Sequence, residues 1–254
     1  MSKKELYQIN IQPHALDACE IIRDRFYIED EYNIINLNKE PESSFFVKIT
    51  NLIRGHAEGE GSAHFSWRKH DRSRPLVTSV FTYVDVTKCN CRPAPSAAAK
   101  EEDRTVTVAL PPIDPKDVIG VPPSSWCRCP RYWVIAVNYE LSTPSGSRCS
   151  EQNAMGKLAS IGTPTWGVRE VFVHGNNPKK ESNPLFPCGV CENMLQKVNK
   201  DIFNRYGEDA VLYMYDATKP HKLVSLPFPE ISHRDGNSFK QFVSQDLRSG
   251  VLQD

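Results

Sequence analysis

Seven of the eight cysteines in this 254-residue chain fall into closely spaced sets: Cys89-x-Cys91, Cys127-x-Cys129, Cys149, and Cys188-x-x-Cys191. This spacing constrains the fold more than composition does, because each set must meet in space before its sulfurs can act together. The eighth, Cys19, stands alone in a helical pattern and reads as a small buried hydrophobe. No apolar stretch follows the lysines of the N-terminal MSKKELYQINIQ, and the longest apolar runs are too short to span a bilayer. The expectation is an intracellular, cytoplasmic protein without a membrane partner, in which thiols stay reduced. The paired cysteines then read as metal ligands rather than disulfides.

Hydrophobic periodicity sets out the elements. An amphipathic helix is expected over residues 13–29, and strands over 45–52 and 77–86 with a glycine-rich turn at 56–61 between them. Residues 92–103 (RPAPSAAAKEED) read as a loop, and 105–110 as a short strand. From residue 132 the pattern is regular: strand 132–137, helix 150–161 ended by Gly162, strand 169–173, helix 188–203, strands 210–215 and 222–226, and a last helix at 238–247. Strands alternating with helices predict an α/β layer with crossover connections.

Two segments of that layer carry reactive groups. Cys149-Ser150-Glu151 and Pro187-Cys188-Gly189-Val190-Cys191 both lie where a loop enters a helix. There the exposed N–H groups and the helix dipole favour the thiolate form. One helical turn separates Cys188 from Cys191 and aims both sulfurs the same way, with Cys149 as a third ligand. A zinc held by three protein groups keeps a fourth position for water, which is the arrangement of a catalytic site. Glu151 is placed to move that water's protons. The alternative is a closed structural zinc, but this segment has no fourth ligand in register.

Cys-x-Glu and Pro-Cys-x-x-Cys on successive helix starts, with Val137-Asn138-Tyr139-Glu140 ahead of them, resemble the zinc deaminase superfamily. The resemblance is to its three-cysteine branch, the free-nucleoside cytidine deaminases, and covers residues 132–229. It implies a three-layer α/β/α deaminase fold with a mixed sheet and a large N-terminal extension or insertion. It also implies hydrolytic deamination of a cytosine-containing nucleoside or nucleotide, by water activated on zinc held by Cys149, Cys188 and Cys191. Glu151 would be the proton shuttle to N3 and to the departing ammonia. Asn138 and Glu140 would grip the ribose hydroxyl, and the N–H groups near Ser150 would meet the pyrimidine carbonyl. The resembled enzymes complete their pockets between subunits, so a homo-oligomer is implied as well.

In the same frame residues 1–75 are a family-specific N-terminal region, and 76–254 a catalytic domain with an irregular insertion at 87–130. The front half either supplies the first strand of the sheet or forms a separate small domain. The chain also departs from the nucleoside enzymes, which offset their three thiolates with two arginines. Here those positions hold Gln152 and Glu192, and Arg148 is the nearest substitute. This favours a divergent subfamily with its own substrate.

Cys89, Cys91, Cys127 and Cys129 bracket the irregular insertion and are a candidate set for a second, structural Zn2+. The alternative is four reduced cysteines without metal. Two other functions compete with the nucleoside reading. Residues 64–74 interleave aromatic and basic side chains, as a deaminase of cytosine in RNA or single-stranded DNA would require. Against it, 31 basic and 31 acidic side chains leave no net charge, whereas phosphate contacts supply most polynucleotide affinity. An inactive zinc-stabilised interaction module is the third reading, and the presence of Glu151 argues against it.

Overall fold

The computed structural model describes residues 33–58, 76–91, 118–140, 147–176, 184–216, 219 and 221–231. Its strands are built from β-branched and aromatic runs: β1 (Asn33–Asn36), β2 (Leu76–Tyr83), β3 (Tyr132–Val137), β6 (Val168–Asn176), β7 (Val211–Tyr215) and β8 (Lys222–Pro227). They form one sheet in the order β1-β8-β7-β6-β2-β3. Among the described strands only β6 and β7 pair in parallel; the other neighbours are antiparallel, so the sheet is mixed. A separate two-stranded ribbon, β4 (Tyr139–Glu140) with β5 (Ser147–Arg148), leaves the end of β3.

Among the described residues three helices cover the sheet: α1 (Phe45–Glu58), α2 (Ser150–Ser160) and α3 (Gly189–Tyr206). The pleat sends alternate side chains to opposite faces, and both faces are apolar. On one, Phe81, Val171, Val173, Leu212 and Met214 pack with Ala154 and Leu158 of α2 and with Leu195 and Ile202 of α3. On the other, Val80, Phe172, Tyr213 and Leu223 pack with Phe45, Phe46, Ile49 and Ile53 of α1. The rings of Phe172 and Tyr213 stack there with centroids 4.6 Å apart. The result is the three-layer α/β/α architecture.

Residues 45–52, expected as a strand, are helical. Phe45, Phe46, Ile49 and Ile53 recur at helical spacing and form one buried stripe. The Ser44 hydroxyl accepts the Val47 N–H at 3.2 Å and caps the start. Aromatic and β-branched content favoured a strand; the chance to bury one face on the sheet decided otherwise. Strand β1, which sequence reading did not foresee, lies against β8 with Ile34 opposite Val224. Residues 33–58 therefore share the sheet and the layers of the elements that follow residue 76.

The remaining boundaries shift by a few residues. Strand β2 ends at Tyr83 rather than 86, and β6 spans Val168–Asn176 rather than stopping at 173. Gly162 takes a φ of 76° after α2, a backbone region that glycine enters without strain. The expected helices 13–29 and 238–247, the strand 105–110, Cys19 and residues 64–74 lie outside the described residues. No described helix is long and apolar enough to cross a membrane.

Candidate active site and its metal ligands

Helices α2 and α3 begin side by side at one end of the sheet, and each begins with a cysteine. Cys149 is the N-cap of α2, Cys188 is the N-cap of α3, and Cys191 lies in the first turn of α3. Their sulfurs lie within 4.8 Å of one another, with Cys149 and Cys188 at 3.6 Å. Two ligands on a tetrahedral zinc with Zn–S bonds of about 2.3 Å would sit about 3.8 Å apart. The trio therefore fits a zinc ion and leaves one of four positions for another group.

Electrostatics at the two helix starts suit a thiolate. The neighbouring sulfurs of Cys149 and Cys191, with the backbone N–H groups of Cys191 and Val190, hold the Cys188 thiol down to about 2. The Cys188 sulfur and burial push Cys149 upward, and the Cys149 and Cys188 sulfurs with burial push Cys191 upward. One thiolate thus shares its charge with two thiols, and a divalent cation would displace their protons. Gln152, where an arginine was missed, closes a capping box: its amide oxygen takes the Cys149 N–H at 3.4 Å, while its own N–H reaches the Cys149 sulfur. The side chain thus caps the helix. Arg148 is exposed, and the Glu192 carboxylate takes a hydrogen bond from Gln196 at 3.3 Å. Thiolate charge is met by N–H groups at the helix starts, where the dipoles are positive.

Glu151 lies 4% exposed beside the trio. Burial, and then the negative Cys188, push its carboxyl up to about 7. Against that, Ser150 Oγ donates to Glu151 Oε2 at 3.1 Å, and the Cys191 thiol donates to the same carboxylate. Ser150 Oγ in turn lies 2.6 Å from Ser79 Oγ on β2. The Ser150 side chain is fully buried, so any contact with a substrate falls to its backbone.

Asn138 is buried at the end of β3, where its Oδ1 accepts the Val77 N–H at 2.9 Å and its own N–H donates to the Val77 carbonyl at 3.0 Å. Glu140 pairs with Ser147 across the β4–β5 ribbon, which delivers the chain to Cys149. Both residues therefore lie on the stretch of chain that leads to Cys149. Asn153 Nδ2 ties α2 to the Val137 carbonyl at 2.8 Å and fixes that approach. At the other approach, a Cβ on Gly175 would stand 2.2 Å from Leu185 Cδ2 and 3.1 Å from its Cβ, so a larger residue there requires Leu185, just ahead of Cys188, to shift.

The second cysteine set also converges. The sulfurs of Cys89, Cys91, Cys127 and Cys129 lie within 4.8 Å of one another, near the opposite end of β2. Sequence reading missed the residues around both sets: buried Ser79 and half-buried Asn153 at the first, buried Arg131, Arg169 and Glu170 at the second. The strand charges carried a legible signal, since an ion within an apolar strand needs a partner. The serine and asparagine carried none.

The family model of the LmjF365940 subfamily of CDD/CDA-like deaminases matches residues 33–163 and 159–229. The chain belongs to this subfamily. The match begins at β1, well before the region from 132 that the motifs alone made recognisable, because β1, α1 and β2 are parts of the same sheet assembly. This subfamily member has no match in sequence among curated proteins. Among solved structures, the cytidine deaminase from Burkholderia pseudomallei aligns with 74% of this deaminase-family chain and 98% of its own, with a TM-score of 0.38 and 9% identity.

Proposed function

We propose that this protein hydrolytically deaminates a cytosine-containing nucleoside or nucleotide, with Cys149, Cys188 and Cys191 holding zinc and Glu151 moving the protons. One observation carries the reading: a three-sulfur set with a fourth position open, and a buried carboxyl at about 7 hydrogen-bonded to one of its sulfurs. When bound, zinc supplies the Lewis acidity that makes water nucleophilic at neutral pH.

The chain's own residues supply the rest. A carboxyl that titrates near neutrality can move one proton from the attacking water to N3 of the ring, then take the second from the new C4 hydroxyl and pass it to the leaving amine as the C4 carbonyl forms. Ser150 holds that carboxylate from one side, and burial excludes bulk water from the exchange. In this reading the N–H groups at the start of α2 meet the pyrimidine carbonyl, and Asn138 and Glu140 take the sugar. The Val77 N–H fixes the plane of the Asn138 amide. Zero net charge favours a small substrate over a polymer. A reducing intracellular setting suits so many free thiols.

Ammonia release from cytidine, deoxycytidine and their monophosphates tests the proposal. Release by the zinc-loaded chain, abolished in Glu151→Ala with zinc retained, supports it. Release from oligonucleotides alone, falling with salt, moves the substrate to a polymer. Bound zinc with release from neither class of substrate refutes the reading.

A further inference from the structure

We infer that Cys89, Cys91, Cys127 and Cys129 hold a second, closed zinc centre whose surplus negative charge is matched by the buried guanidinium of Arg169. Four sulfurs from two short segments, one after β2 and one before β3, meet within 4.8 Å. A zinc held by four thiolates has no open position, so the centre is structural. It lies at the far end of β2 from the first trio. Ser79 marks the catalytic side, and Val84, packed against Cys127 and Cys129, is five residues farther along. At roughly 3.3 Å per residue that is about 17 Å. Little apolar material besides the cysteines secures this region: Val84, Val86 and Trp126 complete the cluster.

The two buried arginines separate an anionic four-sulfur centre from four protonated thiols or a disulfide. Arg131 is 0% exposed and forked on Glu170, with Nε to Oε2 at 2.9 Å and Nη2 to Oε1 at 3.0 Å. Its other donors reach the Cys127 and Cys129 carbonyls, Ser125 Oγ and the Cys127 sulfur. That charge is matched by a carboxylate. Arg169 is 1% exposed and has no bonded carboxylate among the described residues. Its Nη1 reaches the carbonyls of Trp166 and Val168 at 2.7 and 2.8 Å, its Nη2 lies 3.7 Å from the Cys89 sulfur, and its face lies over Trp126 and Tyr206.

A buried cation without a counter-charge is strongly unfavourable. Four protonated thiols offer it none. Neither would a disulfide between Cys89 and Cys129, whose sulfurs are 3.5 Å apart. Four thiolates on a divalent ion carry a formal charge of about −2, which places anionic sulfur next to Arg169. The same centre would clamp the proline- and alanine-rich segment between Cys91 and Cys127 at both ends.

Metal content of the full chain, purified under reducing conditions with zinc present, is the first measurement. Two zinc ions per chain are expected. The variant Cys149→Ala/Cys188→Ala removes the first set, and it is expected to keep one zinc. Loaded with cobalt(II), that variant should show the absorption of a tetrahedral four-thiolate site. Adding Arg169→Met should weaken zinc retention against a chelator by about tenfold or more, and Arg169→Lys should restore most of it. A folded double variant with no zinc overturns the inference, as does iron in its place or a Cys89–Cys129 disulfide in the native chain. If the double variant does not fold, the wild-type count decides: two supports the centre, and one with a three-sulfur cobalt spectrum overturns it. One zinc in both proteins would support this centre and refute the catalytic metal, so the two readings fail separately.

Discussion

Ser79 and Ser150 meet Oγ to Oγ at 2.6 Å, joining an interior strand of the sheet to the first residue of the helix that carries Glu151. Because Ser150 Oγ donates to Glu151 Oε2, Ser79 is the donor to Ser150, and the three groups form a buried relay. The sheet thereby sets the direction of the carboxylate.

Ser150→Ala deletes one hydrogen bond to an ionised group, worth about 1.5–3 kcal/mol, so kcat should fall about ten- to hundredfold with little change in KM. Ser79→Ala should cost less, because Ser150 can still donate to Glu151. Steady-state kinetics on both variants tests the order. An equal or larger loss in Ser79→Ala would sink the relay.

Glu151 also sets a pH dependence of stability in the metal-free protein. Its carboxyl is raised from 4.5 to about 7, chiefly by burial. The folded state therefore binds more protons between those values, and stability falls as pH rises through that window. Glu151→Gln should remove the penalty and stabilise the metal-free chain at pH 8 by on the order of 3 kcal/mol, with little effect near pH 4. Urea unfolding at the two pH values, after chelation, measures the difference. A stabilisation of equal size at both would contradict the burial account.

Arg131 and Glu170 are both buried and face each other at 2.9 Å. Arg131→Met strands the Glu170 carboxylate and should cost about 3–5 kcal/mol in denaturant unfolding. Arg131→Met/Glu170→Met should recover a large part of that loss, since an apolar pair leaves no buried charge. A double variant as unstable as the single one would show that Arg131 acts mainly through the Cys127 and Cys129 carbonyls.

Gly175 leaves the space that the Leu185 side chain fills. Gly175→Ala would set a Cβ 2.2 Å from Leu185 Cδ2 and 3.1 Å from its Cβ, and would displace the chain just ahead of Cys188. Retention of zinc by the Cys149–Cys188–Cys191 set should drop, and adding Leu185→Ala should restore much of it. Chelator competition in the Cys89→Ser/Cys127→Ser background reports this set alone. Unchanged retention in Gly175→Ala would show that the segment yields without moving Cys188.

Local patterns in the sequence were enough for the strand and helix alternation after residue 132, because apolar runs, a glycine stop and the cysteine spacing act over a few residues. They also grouped the cysteines as three and four, and the sulfurs of each group come together in the structure. Residues 45–58 were not legible in that way. Their aromatic and β-branched content suits a strand, and only the apolar face of the sheet made the helix with Phe46 and Ile49 buried the better solution.

The sequence by itself determined the chemistry available: thiols at two helix starts, an acid two residues from one of them, and four more thiols around a loop. Only the tertiary structure decided how those groups are charged and held. Desolvation of Glu151, the Ser79–Ser150 contact and the enclosure of Arg169 among Trp126, Tyr206 and Cys89 all join residues far apart in the chain. Burial and electrostatic partnership depend on what the whole fold brings near, and no local pattern encodes them.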